Sequence, residues 1–185
     1  MRARMALCYS GIIYQHREIL LKNKPQSMLR YSPKGTVPVL VTDSIVIDES
    51  IDVMRWALNQ CDADKWLQQP LQNELIEKSD TQFKTQLDHY KYSDRHELSE
   101  REYRDEALWF LALLDKKLQQ HSQLFSDNIS MADIAIFPFI RQFAFVNKQW
   151  FDNSEYGYLQ KWLAAHLHSE LFNKVMEKHP LWSDE

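Results

Sequence analysis

One short stretch of this 185-residue chain constrains its fold more than any other. Residues 32–40 read SPKGTVPVL, a proline–glycine turn that leads into an apolar, β-branched run. A second β-branched run, residues 44–47, follows Thr42 and Asp43, and this is the pattern of a β-hairpin whose turn lacks glycine. A helix is predicted to begin near Glu49, directly after the hairpin. Turn, two short strands and helix in this order predict a small α/β unit.

The residues around this stretch carry weaker signals of both helix and strand. Good helix formers fill residues 2–10, and Gly11 stands where the end of a helix prefers glycine. The remaining predictions are a strand over residues 13–21, a short helix or turn over residues 25–31, strands over residues 36–41 and 44–47, and a helix over residues 49–58.

Beyond Cys61 the strand-like runs disappear. Amphipathic helical patterns continue to the C-terminus, with long helices predicted over residues 71–92 and 99–120. The Phe and Trp residues of the last third are interpreted as core, and a lining for an apolar co-substrate is the alternative. The sequence therefore predicts an α/β domain over residues 1–62 and an all-helical domain over residues 68–185.

A helix near residue 130 has the best local start signal in the chain. Ser130 occupies the N-cap position and Asp133 follows three residues later, so each can bond the other's backbone N–H in a capping box. Ile129 and Ile134 flank the box at the positions of a hydrophobic staple. Taken alone, such a box is a common structural device.

The composition argues against several classes of function. A formal net charge of −4 without any block of Lys or Arg does not suit a nucleic-acid surface. No apolar run approaches the roughly 20 residues that span a bilayer. Cys8 and Cys61 form no CxxC motif, and the seven histidines show no metal-binding spacing. We expect a cytoplasmic protein that binds neither metal, membrane nor nucleic acid.

Residues 32–50 and the Ser130–Asp133 box together resemble the glutathione S-transferase family. The family has a Pro-x-Gly-x-Val-Pro turn and a Glu-Ser pair in its first domain, and a Ser/Thr-x-x-Asp box in its second. The resemblance covers nearly the whole chain. It implies a thioredoxin-like N-terminal domain, an all-helical C-terminal domain, glutathione as substrate and a cytoplasmic homodimer.

The resemblance also implies a glutathione site. Glu49 and Ser50 match the pair that binds the γ-glutamyl part of glutathione, and a helix N-terminus suits a carboxylate. Val37 and Pro38 match the step whose cis peptide leaves the Val backbone open to pair with the cysteinyl part. The alternatives are that Asp48, Glu49 and Ser50 only cap a helix and that Pro38 is an ordinary edge-strand proline.

Lys34 is the remaining candidate of this site. Its side chain is long enough to reach the glycyl carboxylate of glutathione. The family often has its basic residue at the place of Thr36 instead, so Lys34 departs from the usual pattern.

The thiol-activating residue of the family is not recognised in this sequence. In the family a Tyr, Ser or Cys in the loop before the first helix activates the thiol, and residues 2–7 resemble the interior of that helix. We therefore expect the activating residue and the first strand to precede Met1. Cys8 and Tyr9 are interpreted as packing residues. Without the first strand, residues 13–21 are expected to be displaced, poorly ordered or paired with another chain.

The sequence leaves three functions open. The first is transfer of glutathione to a small electrophile. The second is glutathione-dependent thiol–disulfide reduction through a cysteine upstream of Met1. The third is a non-catalytic binding or dimerisation module with the same fold. The identity of the residue before the first helix distinguishes the first two, and the absence of both activities marks the third.

Overall fold

The computed structural model describes residues 1–184, which form two compact units. The first unit is Met1–Ala63 together with the segment that starts at Glu170, and the second is Asp64–Ser169. The domain boundaries predicted from the sequence put the segment from residue 170 onward in the helical domain, whereas in the structure this segment groups with the first unit.

The first unit combines helices with one small sheet. Strands β1 (Leu40–Val41) and β2 (Val46–Ile47) pair antiparallel, with Leu40 opposite Ile47 and Val41 opposite Val46. The helices described in this unit are α1 (Arg2–Tyr9), α2 (Gln26–Tyr31), α3 (Ser50–Gln60) and α10 (Glu170–Val175). We number the helices α1 to α10 along the chain.

The hairpin turn closes without glycine because Thr42 caps it. Thr42 Oγ1 accepts hydrogen bonds from the backbone N–H groups of Ser44 (3.3 Å) and Ile45 (3.1 Å). The Thr42 N–H in turn donates to the Ile45 carbonyl at 2.9 Å. This side-chain turn matches the hairpin expected from the sequence, although the paired region is shorter than predicted.

Helices α1 and α3 lie side by side and run in the same direction. Arg2 Nε donates to Ser50 Oγ at their first residues (2.9 Å), and Ser10 Oγ donates to the Cys61 carbonyl just beyond their last residues (2.8 Å). Ala6 and Ala57 are fully buried, one on each helix. This pairing fixes where the N-terminus of α3 lies relative to the start of α1.

The strand predicted over residues 13–21 is wrong. Within residues 1–184 this segment makes only single bridges, between Glu18 and Leu181 and between Leu20 and Asn23, and the sheet of the first unit has two strands. Its residues therefore do not belong to a four-stranded sheet, in line with the expected displacement. An apolar, β-branched pattern forms a strand only where a neighbouring strand supplies a ladder. Pairing with another chain stays a prediction.

Residues 13–21 contact the C-terminal end of the described chain instead. The Trp182 N–H donates to the Glu18 carbonyl at 2.7 Å, and the Arg17 guanidinium lies 4.1 Å from the centroid of the Trp182 ring. Asp184 accepts hydrogen bonds from the backbone N–H (2.9 Å) and the hydroxyl of Ser27.

The second unit is helical. It contains α4 (Gln72–Lys78), α5 (Lys84–Lys91), α6 (Glu100–Leu118), α7 (Met131–Val146), α8 (Lys148–Asp152) and α9 (Gly157–Leu167). The helix predicted over residues 99–120 corresponds to α6. No helix within residues 1–184 has both the length and the apolar character needed to cross a bilayer.

The helix predicted over residues 71–92 is interrupted by a wider turn. A π-helical segment, Ser79–Phe83, joins α4 to α5 without leaving helical backbone angles. Ser79, Phe83 and Leu87 are all buried at a spacing of four residues. An α-helix has 3.6 residues per turn, so side chains four residues apart gradually drift around it. The wider π turn offsets this drift and keeps these three side chains on the buried face.

Asp133 organises the start of α7. Its carboxylate is fully buried and accepts the Ser130 N–H (2.8 Å) and the Ser130 hydroxyl (2.6 Å), which confirms the predicted capping box. It also accepts the Leu124 N–H (2.9 Å) and the Trp162 indole N–H (3.0 Å). The carboxylate thus joins the preceding loop, the start of α7 and α9 by four hydrogen bonds.

We expect Asp133→Ala to destabilise the second unit by about 3–5 kcal/mol, because it leaves several buried donors without an acceptor. Urea unfolding of both proteins measures the difference. Asp127→Ala is the matched control, since Asp127 accepts from Ser122 at the surface, where water can replace it. Equal unfolding midpoints for the two variants would contradict the role of Asp133.

His166 is a further buried titratable group of the second unit. Its Nε2 lies 3.0 Å from Gln123 Oε1, and its ring packs against Trp162 with 4.8 Å between ring centroids. Burial lowers the pKa of His166, and the nearby Asp133 charge offsets part of that effect. The folded protein therefore holds His166 neutral at pH values where an unfolded chain protonates it.

Stability should consequently fall as the pH drops below about 6.5, where histidine in the unfolded chain gains its proton. His166→Gln should lose this part of the pH dependence, because glutamine has no proton to gain. Chemical unfolding at pH 7.5 and pH 5.5 measures it. His168→Gln serves as control, since His168 is exposed two residues further on. An unchanged pH dependence in His166→Gln would refute the assignment.

Candidate functional site

A tight turn after α2 carries the first candidate residue. The Gly35 N–H donates to the Ser32 carbonyl at 3.0 Å, with Pro33 at the second position of the turn. Gly35 has a φ of +63°, and a Cβ there would lie 3.3 Å from a methyl carbon of Leu29. The turn therefore requires glycine, and it directs Lys34 into solvent.

Lys34 meets two carboxylates. Its Nζ lies 3.2 Å from Asp48 Oδ1 and 3.3 Å from Glu49 Oε1. The hydrogen bond to Asp48, followed by that to Glu49, raises the pKa of Lys34 above its ordinary value. The structure thus brings together two predicted site residues, Lys34 and Glu49, that lie 15 positions apart in the sequence.

A buried hydroxyl holds Asp48 in place. Ser32 is fully buried, and its Oγ donates to Asp48 Oδ2 at 2.9 Å. This hydrogen bond, followed by the bond from Lys34, keeps the pKa of Asp48 below its ordinary value. The sequence predicts for Asp48 only a possible place in a helix cap, and for Ser32 no role of its own. Ser32 and Asp48 are not related by helix or strand periodicity, so the sequence does not indicate that their side chains meet.

The N-terminus of α3 offers free backbone donors. Glu49 is the N-cap residue, and its carbonyl accepts the N–H groups of Asp52 (3.1 Å) and Val53 (3.0 Å). Within residues 1–184 the N–H groups of Ser50 and Ile51 have no acceptor. Two free donors at the positive end of a helix favour a carboxylate ligand.

Arg2 adds a positive charge at the same point. It is 9% exposed, and its Nε–H donates to Ser50 Oγ. Because Ser50 Oγ accepts this bond, its own proton is directed elsewhere and can be donated to a ligand. The sequence predicts Arg2 only as part of a helix, so its place beside Ser50 is not indicated by the sequence.

The Val37–Pro38 peptide bond is cis. Val37 is half exposed, and within residues 1–184 neither its N–H nor its carbonyl has a hydrogen-bond partner. Continuing the register of β1 and β2 by one residue puts Val39 opposite Asp48, so Val37 lies toward the start of α3. Its backbone is available to pair with an extended ligand.

Cys8 and Tyr9 lie away from these residues. Tyr9 Oη is 3.5 Å from Asp62 Oδ1, beyond the C-terminal end of α3. A helix of 11 residues is about 16 Å long, and Ser50 lies at its other end. Cys8 and Tyr9 are half-buried at the C-terminal end of α1, and their packing role stays a prediction.

The site as a whole suits a small zwitterionic peptide. It offers a carboxylate for an ammonium group, an ammonium and a helix N-terminus for carboxylates, and open backbone for a peptide. Within residues 1–184 no three His, Cys, Asp or Glu side chains are arranged to hold a metal ion.

Replacing Ser32 with alanine should raise the pKa of Asp48, because the hydroxyl is the largest cause of its depression. Carbon-detected NMR titration of the aspartate carboxyls measures it. Ser27→Ala is a matched control, because the Ser27 hydroxyl likewise lowers the pKa of Asp184. That control should raise the pKa of Asp184 alone. An unchanged pKa of Asp48 in Ser32→Ala would show that the hydroxyl does not hold it.

Two family models match the chain. Residues 1–60 match the glutathione S-transferase N-terminal domain, and residues 99–165 match the glutathione S-transferase C-terminal domain. Together the two matches cover more than half of the chain. The chain is also similar to a probable glutathione S-transferase parA from Nicotiana tabacum, with 26% identity over 151 residues. The aligned region covers 77% of this chain and 67% of that protein.

Solved structures share the fold. A glutathione transferase from Pseudomonas putida with one glutathione disulfide per subunit matches with a TM-score of 0.80 and 15% identity, over 94% of this chain and 84% of the other. A glutathione transferase from Burkholderia graminis with two glutathione molecules per subunit matches with a TM-score of 0.79 and 14% identity, over 94% of this chain and 81% of the other.

Proposed function

The chain belongs to the glutathione S-transferase superfamily, and on that premise we propose that it binds glutathione at residues 32–50 and transfers it to a small electrophile. The observation that carries this proposal is the N-terminus of α3. Free N–H groups, the Ser50 hydroxyl and the Arg2 charge meet there, and the Glu49 carboxylate lies beside them.

The γ-glutamyl part of glutathione carries both a carboxylate and an ammonium group. Its carboxylate accepts from the N–H groups of Ser50 and Ile51 and from the Ser50 hydroxyl, where the helix dipole and Arg2 favour negative charge. Its ammonium pairs with the carboxylate of Glu49, the N-cap residue of the helix.

The rest of the tripeptide extends along the turn and the cis-proline segment. The cysteinyl part pairs with the open N–H and carbonyl of Val37 as a short added strand. The glycyl carboxylate pairs with Lys34, whose charge the neighbouring carboxylates stabilise. Each ionic group of the ligand and its cysteinyl backbone thus has a partner among the predicted site residues.

Transfer requires the thiol to lose its proton and attack the electrophile. A sulfur–carbon bond forms, the leaving group departs with its electron pair, and the proton goes to solvent. The residues of this site hold and orient glutathione, and the thiolate-stabilising residue is not assigned among residues 32–50. The two bacterial relatives bind glutathione and glutathione disulfide, and this supports the choice of ligand.

Glutathione should bind the purified protein, and Ser50→Ala should weaken binding about tenfold, because a charge-assisted hydrogen bond is lost. Isothermal titration calorimetry measures both. Ser44→Ala is the control, since Ser44 lies in the exposed turn of the hairpin. Equal affinity of Ser50→Ala and wild type would contradict the placement of the γ-glutamyl carboxylate.

The products distinguish the proposed transfer from the other two functions. Incubation with glutathione and a nitro-activated aryl chloride should release chloride and give the aryl thioether. Reduction of a mixed disulfide without thioether formation would favour the reductase function. Binding without either product would favour a non-catalytic module. The homodimer and the cytoplasmic location predicted from the sequence remain proposals.

A further inference from the structure

We propose that residues 177–184 form a pH-sensitive strap, which is closed over residues 13–18 at neutral pH and opens when His16 and His179 are both protonated. In the structure the strap belongs to the first unit, and the family resemblance gives it no role. The proposal goes beyond glutathione binding and transfer and does not rest on either.

Few backbone contacts hold the strap. The Trp182 N–H donates to the Glu18 carbonyl at 2.7 Å, and within residues 1–184 the bridge between Glu18 and Leu181 does not extend into a ladder. The Arg4 guanidinium adds one longer hydrogen bond, to the Glu177 carbonyl at 3.4 Å. A segment with so few backbone hydrogen bonds opens at a low free-energy cost, so its side chains decide whether it is closed.

Two stacked imidazole rings connect the strap to residues 13–18. The ring centroids of His16 and His179 lie 4.1 Å apart, and the ring planes are inclined by 29°. His16 is half-buried and His179 is exposed, so protons reach the pair from the side of the strap. Neutral rings at this distance attract each other, whereas two imidazolium ions repel. The same contact therefore favours the closed strap at neutral pH and opposes it in acid.

Within residues 1–184, Glu18 supplies the carboxylate at this pair. Glu18 Oε2 lies 3.1 Å from His16 Nε2 and 4.0 Å from a guanidinium nitrogen of Arg4. Burial lowers the pKa of the Met1 amino group, which also interacts with Glu18 and gains charge toward acid pH. Glu18 can therefore balance a proton on His16, but a further proton on His179 is not balanced.

The other groups around the pair keep their charge between pH 7.5 and pH 5.5. Tyr14 lies beside His16, with 6.2 Å between ring centroids, and Arg17 is next in the chain. Glu177 and Lys178 precede the second histidine and carry opposite charges. Tyrosine, arginine, glutamate and lysine ordinarily titrate outside this range, whereas histidine titrates within it.

The far end of the strap stays attached in this range. Asp184 accepts hydrogen bonds from the hydroxyl and the backbone N–H of Ser27, and these bonds keep the pKa of Asp184 below its ordinary value. A carboxylate with a lowered pKa keeps its charge until the pH falls below about 4. Opening therefore begins at the two histidines and frees residues 13–18, while the end of the strap remains at the start of α2.

Hydrogen exchange of the Trp182 backbone amide, measured by NMR on the full chain, tests the strap. This amide donates to Glu18, so its protection factor, taken relative to intrinsic exchange at the same pH, reports closure. The protection factor should fall about fivefold from pH 7.5 to pH 5.5, the scale of two unit charges about 4 Å apart in water. The fall should shrink in about 0.5 M salt, which screens exposed charges. The amides of α3 should keep their protection.

Variants of the three titrating side chains should change this fall in different directions. His16→Gln and His179→Gln should each lose most of it, because a single charged ring has no charged ring to repel it. Glu18→Gln should enlarge it, since a proton on His16 then meets no carboxylate. His168→Gln is the matched control, because His168 is exposed in the second unit, and it should behave as wild type.

An equal protection factor of the Trp182 amide at both pH values in wild type would overturn the proposal. A fall that persists undiminished in both histidine variants would overturn it as well, because the charge pair would not be its cause. An equal loss of protection in α3 would also overturn it, since that result indicates unfolding of the whole unit.

Discussion

The first unit depends on the hydrogen bond between Arg2 and Ser50. It joins the first residues of α1 and α3. Together with the bond from Ser10 to the Cys61 carbonyl just beyond their last residues, it makes the two helices run in the same direction. The same bond leaves the Ser50 hydroxyl proton available and brings a guanidinium to the positive end of α3. One contact thus links the packing of the unit to the charge of the candidate site.

The buried Ser32 hydroxyl fixes the position of the Asp48 carboxylate in that site. Ser32 takes one oxygen of Asp48 and leaves the other for Lys34, so a flexible lysine is attached to a rigid turn. The second unit uses similar chemistry for a structural purpose, where Asp133 collects four donors around the start of α7. In both units a hydroxyl and a carboxylate connect segments that hydrophobic packing alone would leave free to slide.

Local patterns predicted much of the fold. The helix ending before Gly11, the Thr42 turn, the start of α3 and the capping box of α7 each depend on interactions within a few residues, and the structure contains all of them. The strand over residues 13–21 failed, because a strand exists only with a partner. The π segment at Ser79–Phe83 was also missed, since its pattern of buried residues differs little from that of an α-helix.

The sequence by itself determined the family and the order of the elements, because turns and helix starts depend on a few neighbouring residues. The candidates Lys34, Val37, Pro38, Glu49 and Ser50 follow from the resemblance of these motifs to the family. Only the tertiary structure decided which residues support them. Ser32 and Asp48 lie 16 positions apart, and Arg2 and Ser50 lie 48 apart. No helical or strand period relates such positions, and they meet because α1, the turn after α2 and the hairpin pack around the N-terminus of α3.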